Sequence, residues 1–283
     1  MSIHIKYYGV RGSTPTPGKQ FDKFGGNTTC VFVKINDQNI IIDTGTGIRN
    51  LGLDLLKVLP REGGHAHIFY THTHWDHIQG FPFFIPIYMP NNSFDIYGET
   101  KNIPGLNNTK ETWSIKNVLH TQQNFMYFPV SVKDLPSRIN FHEIEPGQNL
   151  DLNGFEMRFI RMRHPNDSIG MRFNYNKKSY VFCTDVEHND TMIEELVDFA
   201  KNADIFAYDC QYTPEEYTAT KTGWGHSTYE AAAEIANKGK IKKVHMIHHD
   251  PLHTDNFLLD MEKSAKKLFK NITMIPEGAE FDI

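Results

Sequence analysis

The chain has 283 residues, 39% hydrophobic and 22% charged, with a net charge of −5 when His is neutral and 15 His in all. This is the balance of a folded domain, and its acidic sign disfavours a broadly basic nucleic-acid platform. Cys30, Cys183 and Cys210 are too few and scattered for a disulfide framework, no cationic N-terminal segment leads into an apolar stretch, and no apolar run reaches the roughly 18 residues of a membrane span.

These features predict one reduced, cytoplasmic domain over 1–283. A first strand at 3–8 runs into the loop Gly9-Val10-Arg11-Gly12-Ser13-Thr14-Pro15. The β-branched runs 28–35 and 39–43 flank Asn36-Asp37-Gln38 and read as a hairpin. Ile40-Ile41-Ile42 is unbroken, as suits a strand covered on both faces. After the tight turn Asp43-Thr44-Gly45-Thr46-Gly47 come a helix at 48–58 and a short strand at 67–70. From 90 to 135 periodicity fails, which predicts an insertion with one short helix near 111–119.

Strands return at 155–162, 168–174 and 179–183, the last two joined by Asn176-Lys177-Lys178. A helix at 191–202 and a buried strand at 205–208 follow. The helix at 227–238 has Ser227 and Glu230 at capping-box spacing. A strand at 243–247 precedes a last helix with the apolar stripe Leu258, Met261, Ala265 and Leu268. Strand runs precede helices in both halves, which predicts sheets packed on each other with helices outside.

The chemistry concentrates in Thr71-His72-Thr73-His74-Trp75-Asp76-His77, three imidazoles and a carboxylate directly after a strand. Alternation puts His72 and His74 on one side of an extended segment, able to converge on one cation. Asp76 and His77 follow where the chain turns and can serve a second. Four such groups held together without a cation would be costly. His164, Asp185 and His248 each follow an apolar strand. Singly, each reads equally well as a capping residue; their shared position at strand ends gathers them along one edge with the first cluster.

This set resembles the metallo-β-lactamase superfamily, of which H-x-H-x-D-H is the specific mark, over residues 9 to about 253. The resemblance implies an α/β fold, an αββα sandwich of two mixed β-sheets with helices on the outer faces. It also implies a binuclear centre: His72, His74 and His164 on one divalent metal ion, Asp76, His77 and His248 on the other, and Asp185 bridging. Register favours His248 over His249. Zinc is the first expectation, and manganese or iron suits the same ligands. Asp43, at the end of its own strand, is expected to support a ligand His.

Asp185 stands where the zinc-dependent lactam-hydrolysing branch commonly has Cys; a bridging carboxylate at this position is similar to the phosphodiesterase and glyoxalase II branches. Cys183 reads as a small buried strand residue. Trp224-Gly225-His226-Ser227-Thr228 resembles the His-Ser-Thr motif of ribonuclease Z-like phosphodiesterases. In that family the His assists phosphodiester cleavage and an upstream acidic residue orients it. Asp209 matches that role, an Asp where ribonuclease Z usually has Glu. The alternative for His226 is help with the helix cap. Gly9-Val10-Arg11-Gly12-Ser13, Gly25-Gly26-Asn27-Thr28, the run from His77 to Phe84 and Tyr127-Phe128-Pro129-Val130 are similar to a subset linked to cyclic-nucleotide phosphodiesterases. Arg11 reads as a phosphate contact or a solvated loop residue. Trp75, Phe81 and Phe83 could stack on a base, with packing against the sheet edge expected for at least two.

The function so implied is metal-assisted hydrolysis of a small phosphodiester, a 3′,5′-cyclic nucleotide first, with His226, Asp209 and Asp76 as catalytic residues. The rivals are ribonuclease Z-like tRNA 3′ processing, thioester hydrolysis, and a non-catalytic metal-bound nucleotide-binding scaffold. The scaffold predicts a damaged ligand set, whereas every position is filled. Enzymes that process tRNA grip it through a long basic, Gly-rich arm, which short bacterial forms carry between the ligand His and the bridging Asp. Between His164 and Asp185 there is room for a hairpin only. The acidic net charge also counts against a nucleic-acid partner without excluding it. Trp113, Tyr127 and Phe128 in the 90–135 stretch suggest a lid or a homodimer contact near the active edge.

Overall fold

The structure, a computed structural model, describes residues 2–58, 63–104 and 110–283. Strands β1 (Ile3–Gly9), β2 (Cys30–Ile35) and β3 (Gln38–Ile42) precede helix α1 (Ile48–Val58), strand β4 (His65–Phe69), the one-turn helix α2 (Trp75–Ile78) and strand β5 (Ser93–Gly98). The hairpin β6 (Lys101–Pro104) and β7 (Lys110–Trp113) leads into helix α3 (Ile115–Gln122) and strand β8 (Arg138–Glu143). Strands β9 (Asn149–Asp151), β10 (Glu156–Met162), β11 (Ser168–Tyr175) and β12 (Lys178–Cys183) follow in succession. The remainder runs α4 (Asp190–Phe199), β13 (Ile205–Asp209), α5 (Pro214–Glu216), α6 (Tyr229–Gly239), β14 (Val244–Ile247), α7 (Asp255–Leu268), β15 (Ile272–Met274) and β16 (Glu280–Asp282).

One sheet has the order β16-β1-β2-β3-β4-β5-β8 and the other β15-β14-β13-β12-β11-β10-β9. Each changes from antiparallel to parallel pairing halfway, at β3 in the first and β12 in the second. Parallel neighbours need crossovers, and α1, α4, α6 and α7 supply them, so helices come to cover the two outer faces. Ile5, Val33, Ile42 and Phe69 meet Phe159, Phe173, Phe182 and Ile247 between the sheets. Leu51 and Leu55 of α1 pack over Ile41 and Ile68, while Leu196, Ile235 and Leu258 pack over Val181, Phe206 and Val244. The unbroken isoleucine run therefore serves both faces: Ile40 and Ile42 enter the inter-sheet core and Ile41 lies under α1. Each such side chain contributes about 1.5–3 kcal/mol by leaving water. The αββα expectation is met. No helix among the described residues is long and apolar enough to cross a membrane.

The main departure lies in the stretch expected to be an insertion. Residues 93–98 form β5, an interior strand paired in parallel with both β4 and β8. Only Phe94 and Ile96 of its alternation enter the α1-side core, and the intervening Ser93 and Asp95 disguise it among Asn and Pro. The short helix begins at Ile115 rather than near 111, where Ser114 and Asn117 form a reciprocal capping box. Helix α6 is capped by Thr228, which accepts from the Ala231 N–H, and not by Ser227. The Ser227 hydroxyl instead lies 2.9 Å from both His188 Nδ1 and the Tyr208 hydroxyl. The stretch between His164 and Asp185 is the β11–β12 hairpin, turned by Asn176 and Lys177 at φ 47° and 63°.

Candidate metal and catalytic site

Strand ends aim the functional side chains. Asp43 follows β3, Asp185 lies two residues beyond β12 and His248 follows β14; all three adopt left-handed φ, at 58°, 58° and 61°. Non-glycine residues rarely tolerate this conformation, so the surrounding structure holds them there to point their side chains across the edge. His72 and His74 extend from the exit of β4, and His74 is the N-cap residue of α2, whose single turn carries Asp76 and His77 inward. Gly12 and Gly225 make room: a Cβ on either would stand 2.5 Å or 2.3 Å from the Nδ1 of His248 or His164.

The seven residues expected to bind metal come together in two adjoining groups. His72, His74 and His164 form one, with His164 Nε2 3.1 Å from His74 Nδ1. Asp76, His77, Asp185 and His248 form the other. Asp185 faces both: Oδ1 lies 3.8 Å and 3.7 Å from the Nε2 atoms of His72 and His164, and Oδ2 lies 3.2 Å and 3.3 Å from those of His77 and His248. That is the disposition of a carboxylate able to bridge two cations. The shortest donor separations match the spacing of about 3.3 Å between ligands of one tetrahedral ion with bonds of about 2.0–2.1 Å.

Two further observations fit cations here. His72 Nε2 is buried without a hydrogen-bond partner, a costly condition that a metal would relieve. The cluster also draws positive charge. Burial opposes it, yet Asp185 and Asp76 push the His248 imidazole up to about 9. His77, likewise buried, is raised well above its ordinary value by Asp76, Asp185 and Asp43. In the other group burial, reinforced by neighbouring imidazoles, keeps His72 and His164 neutral, with His164 lowered to about 4, so their nitrogen lone pairs are free to ligate.

Supporting contacts complete the edge. Asp43 Oδ2 accepts from His77 Nδ1 at 2.8 Å, as its placement predicted, and Asp43 also accepts from the Thr71 N–H and hydroxyl. His226 Nδ1 is 2.8 Å from Asp209 Oδ2, so the expected His–Asp pair forms, beside Asp185. Asp76 takes the Ser13 N–H at 2.9 Å, which ties the Gly9–Ser13 segment to the site. Two supporting residues escaped sequence reasoning. Gln211 Oε1 accepts from His248 Nδ1, and Glu187 accepts from the N–H groups of Gly223 and Gly225, holding the loop that presents His226. Lying two residues past a strand-end Asp was the one signal for Glu187.

His249, the alternative to His248, turns away from the cluster: its Nε2 donates to the Ile275 carbonyl and its ring packs on Phe24. His253 Nε2 pairs with Glu216. Arg11 is neither a phosphate contact nor solvated; fully buried, it donates to the carbonyls of Gly25, Asp250 and His253 and clamps three loops. Of the three aromatics Trp75, Phe81 and Phe83, at least two of which were expected to pack, Phe81 alone is buried, while Trp75 and Phe83 are 65% and 57% exposed. Trp75 lines a cavity of about 350 Å³ with Thr73, Lys101, Trp113 and Tyr127. Trp113 and Tyr127 of the 90–135 stretch thus do lie beside the active edge.

The family described as the beta-lactamase superfamily domain matches residues 38–249, and the chain belongs to it. The ribonuclease Z of Thermoplasma acidophilum is 23% identical over 100% of this chain and 97% of its own length. The metallo-β-lactamase fold protein YhfI from Bacillus subtilis superposes with a TM-score of 0.71 at 17% identity, covering 100% of this chain and 99% of that one. A diphosphatase from the PhnP family gives 0.70 at 19% identity, with 100% and 98% covered.

Proposed function

We propose that this metal-dependent phosphodiester hydrolase acts on a small phosphodiester bearing a nucleoside, a 3′,5′-cyclic nucleotide being the first candidate. The observation that carries this reading is the cavity of about 350 Å³ beside the imidazole cluster, with Trp75, Trp113 and Tyr127 in its lining. Its volume suits one nucleoside, and exposed indole and phenol rings offer faces on which a base can stack. His72, His74 and His164 would hold one divalent ion and Asp76, His77 and His248 a second, with Asp185 between them. Bound ions would lower the pKa of a water nucleophile and offset phosphate charge.

The leaving alkoxide is a poor group and needs a proton. His226 Nε2 is the donor, because its Nδ1 is held by Asp209 Oδ2. Asp209 is itself fixed by the N–H groups of Asp185, Gln211 and Ser227, so it acts as a positioning residue that sets the ring's orientation, with Nε2 carrying the proton to be given up. Asp76 serves by ligation and by fixing the Ser13 backbone.

A second reading, cleavage of pre-tRNA, is favoured by the likeness to the Thermoplasma acidophilum ribonuclease Z over 97% of that protein. Against it stand the short β11–β12 hairpin and the net charge of −5. Hydrolysis of cyclic AMP, cyclic GMP, bis(p-nitrophenyl) phosphate and pre-tRNA by one zinc- or manganese-loaded preparation separates the two. Turnover of a cyclic nucleotide supports the first reading. Turnover of pre-tRNA without the cyclic nucleotides overturns it in favour of the second.

A further inference from the structure

A second cluster of donors lies on the inner face of the first sheet, where β4 begins. His65 and His67 of β4 share that face with Asp95 of β5, which pairs directly with His67. One ligand atom from each of the three lies within 4.8 Å of the others. The catalytic cluster sits past the opposite end of the strand. His65 and His72 are separated by roughly 20 Å of extended chain at about 3.3 Å per residue.

We infer that His65, His67 and Asp95 form a further binding site for one divalent first-row transition-metal ion, of which zinc is the natural probe. The hydrogen bonds around the three residues leave His65 Nε2 and Asp95 Oδ2 available and give His67 Nδ1 only one long contact, from the Tyr97 hydroxyl. His65 Nδ1 is engaged by the Ser93 hydroxyl at 2.9 Å, which leaves Nε2. His67 Nε2 donates to Gln38 Oε1 at 3.1 Å, which puts the lone pair on Nδ1, where the Tyr97 hydroxyl makes a long contact of 3.3 Å that a bound ion would displace. Asp95 Oδ1 accepts from Asn140 Nδ2 at 2.8 Å and from His142 Nε2 at 3.0 Å, which leaves Oδ2. This is the outer hydrogen bonding that fixes tautomer and ring orientation around a metal.

The separations agree. His65 Nε2 lies 3.3 Å from Asp95 Oδ2, the spacing of about 3.3 Å between two ligands of one tetrahedral zinc ion with bonds of about 2.0–2.1 Å. His67 is buried, which pushes its imidazole down to about 4 and keeps it neutral as a ligand must be. His65 and Asp95 keep partial exposure, so an ion can enter from solvent. Two imidazoles and one carboxylate leave a coordination position for water. The ion would tie β4 to β5 on the face where the apolar core gives way to polar side chains.

Equilibrium dialysis against zinc, with bound metal measured by mass spectrometry, tests this on the intact protein, comparing wild type with His65→Gln and Asp95→Asn. Each variant should bind one zinc fewer than wild type and keep the wild-type rate on whatever phosphodiester the wild type hydrolyses. Equal zinc content in the three proteins overturns the site. The zinc difference does not depend on the substrate reading, so failure of one is distinguishable from failure of the other. Wild-type circular dichroism in both variants separates a lost ligand from a lost fold, and a deficit confined to unfolded variants counts against the site.

Discussion

The two histidine clusters hang on one strand and its exit, and they are built in opposite ways. The edge cluster takes donors from the ends of β4, β12 and β14, the turn after β10 and helix α2, with His72, His77, Asp185 and His248 buried. The cluster at the start of β4 takes neighbours across the β4–β5 ladder and stays partly open. The first requires long-range assembly, left-handed backbone and glycine clearances; the second requires only register. An edge assembled from many loops can place groups on three sides of a substrate, which a ladder cannot, and that fits catalysis at one and simple ion binding at the other.

The sharpest way to break the contrast is to remove Asp185, which faces both groups of the edge cluster. Asp185→Ala should reduce zinc at the edge and abolish hydrolysis, while the His65–His67–Asp95 site keeps its ion; metal analysis together with the hydrolysis assay reads both. His226→Ala should cost about 10²–10⁴-fold in kcat, the usual worth of a general acid, with zinc content unchanged. An unaltered kcat would remove His226 from proton transfer. Asp209→Asn should lower kcat by a smaller factor with little change in KM, since it acts through the ring it orients.

How far the sequence shows this contrast depends on range. H-x-H-x-D-H is local and was legible, and the strand-end positions of His164, Asp185 and His248 were legible once strands were placed. Asp43 followed from the same logic, and the His226–Asp209 pair from the resemblance of the His-Ser-Thr segment. The second cluster was not legible, because His67 and Asp95 meet only through a strand that the 90–135 stretch conceals. Arg11 was misjudged because its partners are carbonyls, which leave no trace in side-chain type. Gln211 and Glu187 act through hydrogen bonds to a ring nitrogen and to backbone N–H groups, equally silent in the sequence.

Smaller effects probe the frame around the edge. Glu187→Gln weakens the acceptor for the Gly223 and Gly225 N–H groups, and should cost about 1–3 kcal/mol of stability. It should also lower kcat without lowering bound zinc, as chemical denaturation and kinetics on the same sample would show. Thr228→Ala removes the cap of α6 and should cost about 1 kcal/mol in the same denaturation series. Trp113→Ala, in the cavity lining, should raise KM for a nucleoside-bearing substrate and leave bis(p-nitrophenyl) phosphate turnover close to wild type.

The most direct test is hydrolysis of bis(p-nitrophenyl) phosphate by protein stripped of metal with a chelator and then titrated with zinc or manganese. Activity should vanish on stripping and return in proportion to metal bound at the edge cluster, in wild type and His65→Gln alike. Hydrolysis that persists in protein shown to be free of metal would contradict the assignment of the edge cluster as a metal-dependent phosphodiesterase site.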